Sequence, residues 1–398
     1  MLSSFNKKIR LGVEGRAETF ETLHTQLDAA AAKIWFHCAS LGEYEQGLPV
    51  FEKIIEKHPD HQVILSFFSP SGYEVKKNNS IGDVLVYLPL DTQKNAKYFL
   101  KLIDPELVIF TKYDIWPNYC RELEKSRAKT FLISALFRKE QSYFKWYGGF
   151  MRKSLHSFSH IFTQDENSKD LVKSLKINAV SVAGDTRFDR LSAQLLKDNH
   201  LSFIDTFKNE KRTVIFGSSW PDDDKLFIPF INSFESKPIK YIIAPHNISS
   251  AYTQRLENSI NSKVICFSNL MDYSASELQD AKVFILDTIG YLNRAYSYAD
   301  IAYVGGAAGN TGLHNILEPA VFGVPIIIGK NYAKFPEAAL MIEHSGVFSV
   351  STNNQLNTIL EGLINNDDKR VTLGLSNAEY VQNNSGAVGR IIDVIKTY

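Results

Sequence analysis

The chain has 398 residues, of which 44% are hydrophobic and 22% are charged, so it is an ordinary globular protein too long for a single core. Its 44 basic residues balance its 44 acidic residues, and this neutrality gives no support for bulk nucleic-acid binding. The three cysteines, Cys38, Cys120 and Cys266, form no paired motif and argue against disulfides and structural zinc.

The N-terminal region has the composition of a surface segment rather than of a membrane anchor. Its first twenty residues contain no apolar core of signal-peptide length, and no later window is long enough to cross a bilayer. Basic side chains at Lys7, Lys8, Arg10 and Arg16 give this end of the chain a positive character. We therefore predict a cytoplasmic protein, without a transmembrane segment in this chain, that at most lies on a membrane surface.

Short apolar runs alternate with segments of helical length, a pattern typical of parallel strands joined by crossover helices. The first half contains seven such runs, at residues 34–40, 63–69, 84–90, 107–113, 130–134, 160–164 and 180–184. After a polar stretch, six more follow at residues 213–217, 240–244, 263–267, 282–286, 301–304 and 324–328. Each half therefore predicts one doubly wound, Rossmann-like sheet.

This pattern predicts an α/β protein of two domains, residues 1–190 and 211–398, joined by a linker at 191–210. The last helix is a candidate for packing back on the first domain. Two doubly wound domains that face each other would form a cleft lined by the carboxyl ends of strands, where open α/β sheets bind ligands. The same alternation also fits a two-domain binding protein or a dehydrogenase, so architecture alone does not identify the chemistry.

The first predicted strand ends in HCASLGEYE, residues 37–45, which places Glu43 at the mouth of the expected cleft. Ser40 and Glu43 have the spacing of a capping box, in which Glu43 folds back onto the N–H of Ser40. The sequence by itself favours this structural interpretation. A helix N-terminus would stabilise the charged carboxylate and weaken it as a base, whereas burial beside an anion would have the opposite effect.

Two further segments of this half combine aromatic and charged side chains. Residues 112–118, KYDIWPN, place Asp114 and Trp116 at a strand end, where Trp116 fits core packing at least as well as ligand contact. Residues 137–153 interleave basic with aromatic side chains, a mixture that suits a membrane surface or a phosphorylated glycolipid. An amphipathic helix with a buried aromatic face explains the same pattern, whereas single-strand nucleic-acid binding would need a basic groove as well.

The most informative stretch is residues 300–330, in which a buried strand runs into a glycine-rich loop and then a helix. Backbone N–H groups between Gly306 and Gly312 can hold a phosphate at such a helix start, and a tight strand-to-helix turn explains the glycines equally well. Asn315 and Glu318 share a helix face there. Glu318 can accept two ribose hydroxyls or simply complement the dipole of its own helix.

A second candidate for ligand binding lies upstream of this loop. Thr288, Ile289 and Gly290 follow another predicted strand and open a predicted helix at 291–297. Their backbone groups can grip a base or a phosphate. Taken alone, the segment is a capping sequence.

Several of these stretches together resemble the 3-deoxy-D-manno-octulosonic acid (Kdo) transferases, which are glycosyltransferases of the two-Rossmann GT-B class. The resemblance rests on DTIGYLNRAYSYADIAYVGG and on GLHNILEPAVFGVPIIIGKNYAKFPEA, in which the motif at His314–Pro319 is the most specific mark. Further matches lie at residues 184–189, 216–220 and 244–247, and residues 40–43 are similar to the S-x-G-E motif of the family. The resemblance therefore covers nearly the whole chain.

Residues 112–118 resemble the E-T-E-L-W-P-N element of the family, with departures at its first two places. Asp114 stands where the family has its second Glu, and this change weakens any role carried over to it.

The resemblance implies roles for individual residues. Glu43 would be the general base that takes the proton of the acceptor hydroxyl, a contribution of typically ~10²–10⁴-fold in rate. Donor binding would involve Arg187, Ser218, His246, Thr288, Ile289, Gly290, Gly306, Asn315 and Glu318. Acceptor binding would involve Ser40, Gly42, Asp114 and Arg138.

The resemblance further implies an inverting reaction that moves Kdo from CMP-Kdo to a lipid A precursor, lipid IVA, in lipopolysaccharide synthesis at the cytoplasmic face of the bacterial inner membrane. The partners would be CMP-Kdo, the lipid and an anionic membrane surface, with no nucleic acid. No metal or other cofactor is expected, because helix N-termini and basic side chains stabilise the departing CMP.

Two other classes of function remain open. One is another GT-B enzyme, either a UDP-sugar transferase or a nonhydrolysing sugar epimerase. The other is a non-catalytic protein that binds lipid surfaces.

Overall fold

The computed structural model describes residues 7–112, 114–233 and 238–398, so Tyr113 of the 112–118 segment lies outside the described residues. The chain divides into two compact units. One runs to Arg190 and includes Asn384–Tyr398, and the other spans Leu191–Asn383. Among the helices described, none combines the length and the apolar character needed to cross a bilayer.

The first unit is built on a parallel seven-stranded sheet. Its strands are β1 (Lys33–Cys38), β2 (Gln62–Phe67), β3 (Val84–Tyr87), β4 (Leu107–Thr111), β5 (Lys129–Ala135), β6 (His160–Thr163) and β7 (Val180–Val182). The helices are α1 (Lys7–Gln26), α2 (Leu41–Lys57), α3 (Pro70–Lys76), α4 (Gln93–Ile103), α5 (Pro117–Glu124), α6 (Gly149–Leu155), α7 (Glu166–Ser174) and α8 (Thr186–Ser192). All six residues of β1 are buried, as expected for a strand covered on both faces.

The strand order of this sheet locates its candidate ligand site. The order is β3-β2-β1-β4-β5-β6-β7, so the chain changes direction across the sheet between β1 and β4. Open α/β sheets bind ligands at the carboxyl ends of the strands that flank such a switch point. The loops that follow β1 and β4, which carry Glu43 and Asp114, meet this condition.

The second unit repeats the architecture with another parallel seven-stranded sheet. Its strands are β8 (Arg212–Ser219), β9 (Ile239–Pro245), β10 (Val264–Cys266), β11 (Val283–Ile285), β12 (Ile301–Val304), β13 (Ile326–Gly329) and β14 (Val347–Val350). Its helices are α9 (Ser202–Lys208), α10 (Pro221–Ser233), α11 (Ser250–Asn258), α12 (Ala275–Asp280), α13 (Leu292–Ala295), α14 (Leu317–Ala320), α15 (Pro336–His344), α16 (Asn353–Ile364) and α17 (Asp367–Asn384). The order β10-β11-β9-β8-β12-β13-β14 places the switch point between β8 and β12.

The observed sheets confirm the predicted α/β fold. Each strand predicted from the apolar runs overlaps an observed strand. β14 was not predicted, because it is a four-residue edge strand in which only Val347 and Val350 are buried. The stretch predicted as a linker, 191–210, contains α9 and belongs to the second unit.

The last helix, α18 (Ala387–Ile395), belongs to the first unit, where it packs on α2. Asp189 fixes its start, because this carboxylate accepts the N–H groups of residues 386, 387 and 388 at 3.0, 3.0 and 3.3 Å. Arg390 donates from Nε to the carbonyl of Ala183, just after β7, at 2.7 Å. The 184–189 segment therefore has a structural role in docking the end of the chain.

Arg16 binds within the first unit, which corrects its assignment to an exposed basic N-terminus. Its guanidinium lies 4.3 Å from the centre of the Phe68 ring and donates to carbonyls that follow β2 and β3. Arg16 thus ties α1 to these strand ends. Lys8 and Arg10 are exposed, as expected, and the side chain of Lys7 lies outside the described residues.

Candidate active site

Glu43 lies in the first turn of α2, directly after β1, and only 7% of it is exposed. Its carboxylate accepts the N–H of Ala39. Ser40 occupies the N-cap position with extended backbone but makes no side-chain capping hydrogen bond. The predicted capping box is therefore not formed, because Glu43 accepts the N–H of Ala39 and not the N–H of Ser40 that the motif requires.

The environment of Glu43 raises the pKa of its carboxyl to about 7. Burial is the largest cause, and the nearby carboxylate of Asp114 adds to it. The Ala39 N–H, His37 and Lys112 act in the opposite direction. Burial therefore outweighs the helix start, and Glu43 has the proton affinity that a general base needs near neutral pH.

Asp114 is held beside this carboxylate by a buried polar network. Its Oδ2 lies 2.7 Å from Nε2 of His37 and accepts the indole N–H of Trp116 at 3.1 Å. The other ring nitrogen of His37 lies 2.8 Å from Oγ of Ser66 on β2. His37 is fully buried, so the network joins strands β1, β2 and the loop after β4 in one fixed arrangement.

His37 was not predicted to have a role, although it begins the HCASLGEYE segment that contains Glu43. The signal for it is a titratable side chain inside the otherwise apolar strand KIWFHC. Buried polar groups need partners, so such a residue indicates a polar network at the end of the strand. Trp116 fulfils the packing expectation through its contact with Phe68, at 4.5 Å between ring centres, and also hydrogen-bonds to Asp114.

The other residues predicted for the acceptor and donor on the first unit differ in their surroundings. A Cβ atom placed on Gly42 would have no neighbour within 4 Å, so space is available beside the start of α2. Arg138 is exposed and its backbone N–H donates to Gln141. Arg187, predicted to bind the donor, belongs to the first unit and pairs with Asp185 at 2.7 Å.

At the switch point of the second unit, the loops after β8 and β12 are joined by one buried carboxylate, Asp223 in α10. It accepts the N–H of Trp220 at 2.9 Å, the N–H of Gly306 at 2.8 Å and the hydroxyl of Tyr303 at 2.7 Å. Ser218 lies near the end of β8 with a left-handed backbone (φ 54°), where the pairing of β8 with β9 is interrupted. Asp223 is absent from the prediction.

The glycine-rich loop after β12 closes on itself. Gly306 has φ 95°, and a Cβ atom at this position would lie 2.0 Å from the carbonyl oxygen of Gly312, whose N–H donates back to Gly306 at 3.1 Å. Because the N–H of Gly306 already donates to Asp223, it does not also donate to a phosphate. The structure therefore assigns Gly306 a conformational role instead.

His314, within the most specific motif, anchors an aromatic cluster. Its Nε2 lies 3.0 Å from Nε1 of Trp220, an indole nitrogen that can only donate, so Nε2 is the acceptor. Burial and the neighbouring His246 lower the pKa of His314 to about 4, which keeps the ring neutral as this bond requires. His246, predicted for the donor, is exposed and stacks on Trp220 with ring centres 4.5 Å apart.

Asn315 and Glu318 contact each other at the start of α14, with Asn315 Nδ2 donating to Oε1 of Glu318 at 3.3 Å. Oδ1 of Asn315 also accepts the N–H of Leu317 at 3.2 Å. This bond shapes the turn into the helix, whose N-cap residue is Ile316. Asn315 precedes α14, so the two side chains are adjacent but do not share a helix face as predicted.

Thr288, Ile289 and Gly290 form an accessible turn after β11. Ile289 is 82% exposed, and a Cβ atom on Gly290 (φ 96°) would have no neighbour within 4 Å. The predicted helix at 291–297 is the four-residue α13 followed by a 3₁₀ turn at Tyr296–Tyr298.

The aromatic side chains of the 137–153 segment divide into buried and exposed groups. Tyr143 and Phe144 pack in the hydrophobic core. Trp146, Tyr147 and Phe150 are 93%, 63% and 52% exposed. The segment therefore presents an aromatic surface to solvent, flanked by the exposed basic side chains Arg138, Lys139 and Lys153.

Comparisons with known proteins agree on one family. The family model described as 3-Deoxy-D-manno-octulosonic-acid transferase (kdotransferase) matches residues 11–190. A 3-deoxy-D-manno-octulosonic acid transferase of Haemophilus influenzae is 26% identical over 381 residues, which are 92% of this chain and 87% of the relative. A transferase of the same description from Rickettsia felis is 26% identical over 398 residues, 96% of this chain and 83% of the relative.

Solved structures share the two-sheet fold. The UDP-GlcNAc 2-epimerase of Neisseria meningitidis, bound to UDP-GlcNAc, is similar with a TM-score of 0.62 at 14% identity, covering 92% of this chain and all of that one. MurG of Acinetobacter baumannii gives a TM-score of 0.58 at 11% identity over 92% and 100% of the two chains. At these identities the likeness concerns the fold, and it confirms the predicted GT-B class. Together with the motifs at both switch points, the relatives aligned along nearly all of its length show that this chain is similar to the 3-deoxy-D-manno-octulosonic acid transferases.

Proposed function

We propose that this protein transfers Kdo from CMP-Kdo to a lipid A precursor, lipid IVA, with inversion at the anomeric carbon. The similarity to Kdo transferases along nearly all of the chain supports a Kdo-transferring glycosyltransferase. The observation that carries the proposal is Glu43, a buried carboxyl at a sheet switch point whose surroundings raise its pKa to about 7.

In the proposed reaction, Glu43 takes the proton from a hydroxyl of the acceptor while that oxygen forms a bond to the anomeric carbon of Kdo. The bond from this carbon to the phosphate oxygen breaks at the same time, and CMP leaves with the bonding electrons. Attack opposite to the departing group inverts the configuration of the carbon. Asp114 and His37 position the site by fixing the charge next to Glu43.

The second unit supplies the proposed donor side. His246 and the Thr288–Gly290 turn follow β9 and β11, and Ser218 lies near the end of β8, all at the carboxyl edge where such sheets bind nucleotides. Asn315 and Glu318 follow β12, and we propose that Glu318 accepts ribose hydroxyls while Asn315 faces a phosphate.

We expect the purified protein to convert a tetraacyl lipid A precursor to its Kdo adduct when it is incubated with CMP-Kdo, as detected by mass spectrometry of the lipid. A parallel incubation with EDTA tests the prediction that no metal takes part, and transfer should continue unchanged. A ligand that binds the native state stabilises it, and more so the tighter it binds. CMP, as part of the proposed donor, should therefore raise the thermal unfolding temperature more than UDP does. Lipid binding without any adduct, at all enzyme concentrations, would support the non-catalytic alternative.

We also propose that the exposed aromatic surface formed by Trp146, Tyr147 and Phe150 contacts the anionic cytoplasmic face of the inner membrane. Aromatic rings favour the headgroup region of a bilayer, and nearby lysines and arginines are attracted to anionic lipids. The guanidinium of Arg121 lies 5.6 Å from the centre of the Phe150 ring, so a cation accompanies the aromatic group.

Replacing both Trp146 and Tyr147 with Ala should weaken binding to vesicles that contain anionic phospholipid by about tenfold or more, since two large apolar side chains lose their contact with lipid. Vesicle co-sedimentation measures this effect. Met271→Ala is the matched control, because Met271 is 96% exposed and lies in the second unit. Equal binding of both variants would remove this surface from the proposal.

A further inference from the structure

A cavity of about 430 Å³ lies beside the glycine-rich loop of the second unit. Residues 309–312 of the loop form one wall, and Lys330, Asn331, Lys334 and Phe335 of the segment after β13 form the opposite wall. This volume falls in the range of ~300–1,000 Å³ typical of small-molecule sites. It also exceeds what an isolated phosphate group requires.

The two walls are fixed to each other by the backbone. The N–H of Asn331 donates to the carbonyl of Ala307 at 2.9 Å, and its side-chain Nδ2 donates to the carbonyl of Gly309 at 2.7 Å. A Cβ atom on Gly329 would lie 2.1 Å from the backbone nitrogen of Ala308, so the end of β13 touches the loop directly. The cavity is therefore part of the folded framework.

The charge of the lining is positive. Lys330 and Lys334 are the charged side chains among the lining residues, and both are exposed. Across the described ranges, neither ammonium group has an acidic partner or a hydrogen bond. Asp222, which approaches Gly309 from another side, is paired with Lys225 at 2.8 Å. Two ammonium groups without an acidic partner in the lining of one cavity favour an anionic ligand.

The remaining lining suits a sugar. Asn310 adds an exposed amide, and Phe335 supplies an apolar face, a combination that can meet hydroxyl groups and a carbon skeleton. The cavity lies after β12 and β13, at the same carboxyl edge of the sheet as the proposed donor residues.

We propose that this cavity receives the acidic sugar of the donor, with Lys330 and Lys334 binding its carboxylate. The inference rests on the proposed function and deepens it, because it names the residues that distinguish an acidic sugar from a neutral one. A phosphate is the other anion of the donor, and its binding here would leave the sugar unrecognised by these lysines.

The test compares wild type with the variant in which Lys330 and Lys334 are both replaced by Ala. Initial rates of transfer give KM for CMP-Kdo, and competition by CMP gives its inhibition constant. We expect KM to rise at least about tenfold, equal to about 1.4 kcal/mol, while the inhibition constant of CMP stays within about twofold, because CMP lacks the sugar carboxylate. Replacement by Arg should restore most of the affinity.

Lys263→Ala is the matched control, because Lys263 precedes β10 and so lies at the amino end of the sheet. A parallel loss of CMP and CMP-Kdo affinity in the double variant would reassign the lysines to the phosphate, and an unchanged KM would remove the cavity from donor binding. Either result overturns the inference. If wild type transfers nothing from CMP-Kdo, the proposed function fails instead, and the two failures are thereby distinguished.

Discussion

Glu43→Gln should lower kcat for sugar transfer by about 10²–10⁴-fold and leave the fold intact. The amide has nearly the same shape as the carboxyl group but cannot take a proton from the acceptor. In wild type, kcat/KM should rise as the pH increases through about 7, because the base acts in its deprotonated form. Mass spectrometry of the lipid product at a series of pH values measures both effects.

Asp114→Asn tests the physical cause of this profile. Removing the negative charge beside Glu43 removes a contribution that raises its pKa, so the rise in kcat/KM should move to lower pH. A purely structural role of Asp114 would change the height of the profile without moving it.

Ser40→Ala is the matched control for the start of α2. Because Ser40 makes no capping hydrogen bond, its loss should change the free energy of unfolding by less than about 0.5 kcal/mol, against about 1 kcal/mol for a true cap.

Transfer that survives unchanged in Glu43→Gln would exclude Glu43 from the mechanism.

Asp223→Ala should produce the largest loss of stability in the second unit. The variant leaves three backbone N–H groups and the Tyr303 hydroxyl without their buried acceptor, at a cost on the order of 3 kcal/mol. The glycine-rich loop and the loop after β8 should then exchange their amide hydrogens faster. Hydrogen-exchange mass spectrometry of residues 216–220 and 303–312 measures this, together with chemical unfolding.

Asp222→Ala provides the comparison, because the neighbouring Asp222 forms an exposed ion pair with Lys225. Surface pairs of this kind contribute little, so the free energy of unfolding should change by less than about 1 kcal/mol. If both variants behave alike, Asp223 does not organise the loop.

The strands could be predicted from sequence because parallel strands covered by helices on both faces are nearly continuous apolar runs. The four residues of β13, IIIG, are all buried, and such an apolar run predicts a buried strand. β14 is an edge strand with half-buried Phe348 and Ser349, so its apolar signal is too weak to separate from a loop.

The chemical state of Glu43 could not be predicted from its own segment. A capping box and a general base have the same local sequence, and only the surroundings distinguish them. Asp114 and His37 are 77 positions apart, and it is the pairing of β1 with β4 that brings them together beside Glu43. Burial and this second carboxylate then decide the pKa.

Asp223 was missed for a related reason. In sequence it is one of three acidic residues in the first turn of α10, where acidic side chains ordinarily complement the helix dipole. Its partner Gly306 lies 83 positions further along the chain. Only the contact between α10 and the end of β12 turns this carboxylate into the anchor of the glycine-rich loop.

The sequence by itself determined the α/β class, nearly all of the strands and the resemblance to the Kdo transferases, since these depend on local apolar runs and on motifs of adjacent residues. The tertiary structure decided which carboxylates are buried, which N–H groups the loops still offer and which aromatic side chains of the 137–153 segment face solvent. These properties depend on desolvation and on partners that are distant in sequence, and the order of residues encodes them only through the completed fold.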